Sequence, residues 1–167
     1  ASPYGELAYM NSTTATILLA KGDSSLITDS GCTRTCLCKI AYFIHIFYCD
    51  PVVIKGISGY VTVRQKGTAL LPVTDREGNK VEILLQDVFY HPDGNLDLVS
   101  INDLNDAGWH VQYNVGDPRL KHSVDKTIVP LNHSTDGLFR FRKFVTRPGC
   151  ADLSGLVLEA DVSNPVP

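Results

Sequence analysis

No stretch of this 167-residue chain is apolar for long enough to cross a bilayer as a helix. The longest apolar runs, such as Ile40 to Tyr48, carry His45 and are far too short. Bulk charge is also scarce. The formal net charge is −3, so nothing draws the chain as a whole to nucleic acid or to an anionic membrane. The opening residues lack the basic, apolar and small-residue pattern of a secretion signal. Cysteines do not come in an even set: there are five, and three crowd into Cys32, Cys36 and Cys38. That usage fits free thiols in a reducing compartment rather than a disulfide framework. The expectation is a cytoplasmic location, with no membrane partner and no nucleic acid bound directly. No internal repeat and no second globular domain stand out. What the chain does have is an apolar content of 44%, ordinary for a globular domain with a real core.

The chemistry concentrates in Leu26-Ile27-Thr28-Asp29-Ser30-Gly31-Cys32-Thr33. An apolar, strand-like run ends in a carboxylate, and a hydroxyl residue and a glycine follow at once. A strand holds the Asp in place, the Gly lets backbone approach it, and the Ser can bond across to a symmetry-related loop. This order suits an aspartic protease, although the tripeptide by itself also reads as an ordinary turn after a strand. A second Asp-Ser/Thr-Gly is lacking. Thr135-Asp136-Gly137 has the wrong order, and Asp93-Gly94 lacks the intervening hydroxyl. Cys36-x-Cys38 followed by His45 and Cys49 approximates the ligand order of a small zinc site. The Cys-x-Cys spacing is poor for it, and His45 sits inside an apolar run, so no metal is expected.

The rest of the chain reads as short strands and turns. Ala15 to Ala20 and Ser25 to Asp29, across Lys21-Gly22-Asp23-Ser24, form a hairpin pattern that delivers Asp29 at its end. Cys36 to Tyr48 reads as a strand or an irregular buried segment. Pro51 to Val63 is a hairpin whose link holds Gly56-Ile57-Ser58-Gly59, a shape that can bend over a groove and offer backbone to an extended peptide. Thr68 to Val73 and Val81 to Tyr90 pair across Asp75-Arg76-Glu77-Gly78-Asn79, with a shift of phase near Gln86-Asp87 that suggests a bulge. One helix is expected, Ile101 to Ala107, with Ser100 as its cap, Asp103 facing its first-turn amides and Gly108 as its stop. Trp109 to Tyr113, Lys126 to Leu131 and Gly137 to Val145 are further strands, the last an edge or interface strand with one solvated basic face. After Thr146 the periodicity fades into a tail. The domain pattern is an extension with a first strand over 1–24, a folded domain over 25–145 and a tail over 146–167.

In three blocks the chain resembles the retropepsin-like aspartic protease of copia-type LTR retrotransposons. Ile27 to Thr33 is similar to that family's apolar-x-Asp-Ser-Gly-Ala-Ser block, with Cys32 and Thr33 in place of small residues. Lys66-Gly67-Thr68-Ala69 stands where the family has a glycine turn into the next strand. The most specific block runs from Leu85-Gln86-Asp87-Val88-Phe89-Tyr90-His91-Pro92 through Asn95 to Val111, with one residue inserted in Asn95-Leu96-Asp97-Leu98. Gly137-Leu138-Phe139 resembles the motif that closes the pattern. The resemblance implies an all-β fold, a closed retropepsin-like barrel with one short helix, active as a homodimer. It implies an aspartic endopeptidase that cleaves the retrotransposon Gag-Pol polyprotein inside virus-like particles, without a cofactor. Asp29, Ser30 and Gly31 would be its catalytic loop, and Gly56, Ile57, Ser58 and Gly59 its substrate-covering flap. With a single Asp-Ser-Gly, Asp29 would have to meet Asp29 of a second copy. The rival expectation is a catalytically silent or domesticated module that only dimerises or binds peptide.

Overall fold

The β-branched and aromatic residues that fill the chain from Leu26 onward favour strands, and strands are what most of them form. The computed structural model describes residues 7–9, 26–56, 59–94, 97–135 and 137–142. The first strands are β1 (Leu7–Tyr9), β2 (Leu26–Asp29) and β3 (Cys36–Leu37). A 3-10 turn, Ile40–Tyr42, leads into β4 (Phe43–Gly56), β5 (Gly59–Thr74) and β6 (Lys80–Tyr90). β7 (Asp97–Ser100) runs directly into α1 (Ile101–Asp106). β8 (Trp109–Asn114), β9 (Asp117–His122), β10 (Ile128–His133) and β11 (Phe139–Phe141) follow among the described residues. The all-β expectation with one short helix is borne out.

These strands share one sheet in the order β1-β4-β5-β6-β3-β7-β2-β11-β10-β9-β8. Its end strands, β1 and β8, are not paired with each other among the described residues. The sheet nevertheless rolls, because the Tyr113 hydroxyl on β8 donates to Thr28 Oγ1 on β2 at 3.3 Å, although three strands lie between them in the order. Inside the roll lies the main core, which includes Phe43, Leu71, Ile83, Val99, Leu104 and Trp109. Each fully buried Leu, Ile or Phe there stabilises the fold by about 1.5–3 kcal/mol relative to an exposed one.

Several local expectations are met and several are corrected. The phase shift in β6 is a bulge. Gly67 opposes Val88 while Ala69 opposes Leu85, and Asp87 sits at φ 54° between them. The Asp75–Asn79 turn closes as expected, with the Asn79 amide donating to Asp75 Oδ1 at 2.7 Å and Gly78 at φ 87°. The hairpin expected over Pro51 to Val63 is only the tip of a much longer one. β5 continues through Lys66-Gly67-Thr68 without a turn, because Gly67 packs directly on the β4 backbone. A Cβ there would lie 1.8 Å from the His45 carbonyl oxygen. β9 went unread, since Leu120 is its one buried residue and its charges hide the pattern. β11 is not an edge strand: it lies between β10 and β2, and Arg140 is buried. Ser100 precedes the helix as expected, but its side chain makes no capping bond. β1 lies in the stretch read as a polar extension and pairs in parallel with β4. The strand expected at Ala15 to Ala20 and the tail after Thr146 fall outside the described residues, as do Ile57 and Ser58.

Candidate functional site

All four residues of β2 are buried, because the strand is held on both sides. β7 runs parallel to it with Ile27 opposite Leu98 and Asp29 opposite Ser100. β11 runs antiparallel, with Phe139 opposite Thr28 and Arg140 opposite Ile27. Alternation along β2 then divides its side chains between two faces. Leu26 and its neighbour Val99 enter the main core. Ile27 packs with Leu98, Cys32 and Leu138 in a small separate cluster, and Asp29 follows two residues on, on that same face.

Immediately after Asp29 the chain turns. The Cys32 amide donates to the Asp29 carbonyl at 3.3 Å, and the Gly31 amide donates to Asp29 Oδ1 at 2.8 Å. The glycine thus supplies a backbone donor aimed at the carboxylate, a bond that favours its ionised form. Ser30, between them, is exposed. Asp29 itself is 5% exposed. The three residues singled out in the sequence therefore form one turn at the end of one buried strand.

The loop that continues the turn is fastened to its surroundings. The Thr35 amide donates to Asp103 Oδ2 at 2.7 Å, and the Ser100 amide donates to Thr35 Oγ1 at 3.0 Å. Asp103, expected to face the first-turn amides of its own helix, therefore serves the loop. Arg34 donates to the Asp87 carbonyl at 2.8 Å, stacks over Phe89 at 5.1 Å and lies 3.9 Å from Asp103. On the other face, Thr28 Oγ1 donates to the Phe139 carbonyl at 3.3 Å and accepts from Tyr113. Tyr113 and His133 both pack on the Phe139 ring, at 4.4 and 4.5 Å between centroids. None of these anchoring contacts was visible in the sequence, because each joins residues far apart in the chain.

The Asp29 charge is felt nearby. Burial pushes the Cys32 thiol up to about 12, and Asp29 adds to the rise. Burial likewise raises the Tyr113 hydroxyl, with Asp29 a smaller contributor in the same direction. Gly56 and Gly59, the hairpin glycines, are register partners at the tip of β4 and β5. Lower on that hairpin, Val52, Ile54 and Val63 pack with Phe89 and Cys36. A groove of about 1020 Å³ opens beside the loop that follows the turn, lined by Thr33, Arg34 and Asp103 together with Lys80, Glu82 and Trp109, and Asp29 does not line it. Among the described residues no three His, Cys, Asp or Glu side chains converge as a metal set. Cys36 instead belongs to the hairpin cluster, and Cys38 Sγ donates to Asp97 at 3.3 Å.

The family described as Pol polyprotein, beta-barrel domain matches residues 26–109, half of the chain. The chain belongs to this family. It is thus derived from a retroelement Pol polyprotein. Comparisons with curated proteins and with solved structures found no match. In this Pol β-barrel domain the matched span begins at the first residue of β2 and ends at the first residue of β8. It holds the Asp29 turn, the long hairpin, the bulged β6 and the β7–α1 unit. β9, β10 and β11 lie beyond it, although β11 is the strand that flanks β2.

Proposed function

We propose that this Pol β-barrel domain is the polyprotein's aspartic endopeptidase, of the copia-type retropepsin kind. The observation that carries the reading is the Asp29 turn. A carboxylate ends a strand clamped on both sides, the Gly31 amide donates to its Oδ1 at 2.8 Å, and the intervening Ser30 is exposed. The chain has one such motif, so two copies would bring two Asp29 residues together on a twofold axis. Carboxylates about 3 Å apart cannot both ionise at modest cost, so the pair shares one proton. The ionised member takes a proton from a water as the water attacks the peptide carbonyl. The protonated member donates to the carbonyl oxygen. Ser30 would bond across the axis, and the Gly56–Gly59 hairpin would cover an extended substrate. The substrate is the Gag-Pol polyprotein, processed in cytoplasmic virus-like particles.

The burial of Asp29, 5% exposed in a single copy, favours a second reading, in which the domain dimerises or binds peptide without cutting. One experiment separates the two. The wild type is incubated with its parent polyprotein, with and without pepstatin, beside Asp29→Asn. Discrete products that vanish with pepstatin and with Asp29→Asn are expected. Asn is nearly isosteric and accepts the Gly31 amide, so the variant should melt no lower than the wild type. Equal cleavage by both forms removes Asp29 from the mechanism, and cleavage by neither leaves the silent module.

A further inference from the structure

Ser100 is fully buried, and its Oγ has no hydrogen-bond partner among the described residues. That is an unfavourable place for a hydroxyl, since buried polar groups are nearly always bonded. The Ser100 amide, by contrast, is engaged, donating to Thr35 Oγ1 at 3.0 Å. The hydroxyl therefore plays no part in holding the loop, and it does not cap α1.

Its neighbour across the parallel ladder is Asp29. Register partners in a sheet project to the same face, from strands about 4.8 Å apart. The preceding pair on that face shows the arrangement, since Ile27 and Leu98 pack in one cluster while Leu26 and Val99 enter the other. Asp29 and Ser100 are the next pair on that face.

We propose that Ser100 is a positioning residue for Asp29, its hydroxyl donating to the Asp29 carboxylate across the β2–β7 ladder. The role rests on the reading of Asp29 as a proton-sharing carboxylate. In an Asp-Ser-Gly-Cys loop the thiol cannot supply that donor, because Cys32 Sγ is already bonded to the Arg34 carbonyl at 2.7 Å. A hydroxyl that donates to the charged form holds the carboxylate ionised and fixes its rotamer. The other titratable or charged groups around it come from several elements. They are Cys32 and Arg34 from the following loop, Asp103 from α1, Arg140 from β11 and Tyr113 from β8.

The test is the titration of Asp29, followed by carboxyl-carbon NMR in the wild type, Ser100→Ala and Ser100→Thr, with the signal assigned by its loss in Asp29→Asn. Ser100→Ala should raise the Asp29 midpoint by about one pH unit, while Ser100→Thr should keep the wild-type midpoint. The acidic limb of the cleavage profile should move up with it in the Ala variant. An Asp29 midpoint unchanged in folded Ser100→Ala overturns the role, whatever happens to the rate or the melting temperature. If Ser100→Thr is too crowded to fold, the Ala variant alone decides. Because the titration needs no turnover, a wild type that cuts nothing would sink the protease reading and leave this inference to be judged on the midpoint.

Discussion

At the scale of single residues, Asp97 does the most for the frame around the site. Its side chain is fully buried at the start of β7, where Oδ1 accepts the Cys38 amide at 2.9 Å and Oδ2 lies 3.5 Å from Lys39 Nζ. It lies in Asn95-Leu96-Asp97-Leu98, the stretch in which one residue is inserted relative to the resemblance, and the sequence alone marked that stretch only as a departure. The structure makes it the tie between β7 and the segment after β3. Asp97→Ala should cost about 2–3 kcal/mol, read from chemical denaturation, since a buried amide loses its acceptor and a lysine its partner. The exposure of Lys39, about one third, keeps the ion-pair share small. A loss under half a kcal/mol would show that the tie carries no weight.

The thiols give a second test at this scale. Burial, then the charge of Asp29, holds the Cys32 thiol at about 12, against an ordinary 9.0. Burial, then Asp97, holds Cys38 at about 11. A raised pKa means the folded state favours the protonated thiol. The stabilisation is therefore complete below about pH 9 and is lost as pH climbs towards 11 and 12. The denaturation midpoint should fall across that window, and Cys32→Ala should flatten the fall. A midpoint that stays level up to pH 11 would contradict it. What the sequence could say about these cysteines was that they are unpaired. Which of them face carboxylates depends on strand pairings between distant segments.

At the scale of elements, the long β4–β5 hairpin contains two glycines with different duties. Gly67 is needed for space, since any Cβ would meet the His45 carbonyl. Gly67→Ala should therefore destabilise the protein by about 3 kcal/mol or more, because backbone cannot step aside as a side chain can. Gly59 pairs with Gly56 at the tip, which in the proposed function must open and close over substrate. Gly59→Val should cut turnover far more than it lowers the melting temperature. An equal loss of turnover and of thermal stability in Gly59→Val would make the tip purely structural. The same hairpin shows what was legible and what was not. Its tip and the β6 bulge could be read because Gly56, Gly59 and the shifted apolar phase at Gln86-Asp87 are local signals. Its length could not, because Gly67 looks like a turn until the β4 backbone is set against it. For the same reason the Asp29 turn was legible while its clamps, β7 and β11, were not. Their pairing with β2 spans most of the domain, and Arg140 looked solvated until β11 was found inside the sheet.

At the scale of the whole molecule, the question is whether one copy is a complete site. The chain carries one Asp-Ser-Gly, and the proposed chemistry needs one protonated and one ionised carboxylate together. Under that reading a single copy holds half of the machinery. Specific activity should then fall on dilution over the same concentration range in which sedimentation shows dimers giving way to monomers. A sharper form of the test uses mixing. Wild type and Asp29→Asn, combined in equal amounts and allowed to exchange, give wild-type, mixed and mutant dimers in a ratio of about 1:2:1 if the substitution leaves association unchanged. Only the wild-type pairs hold two Asp29 carboxylates, so the mixture should retain about one quarter of the activity of the same total amount of wild type. A monomeric enzyme would retain half, since each wild-type chain would work alone. Half-activity at every concentration, with no loss on dilution, would mean that Asp29 finds its partner group within its own chain.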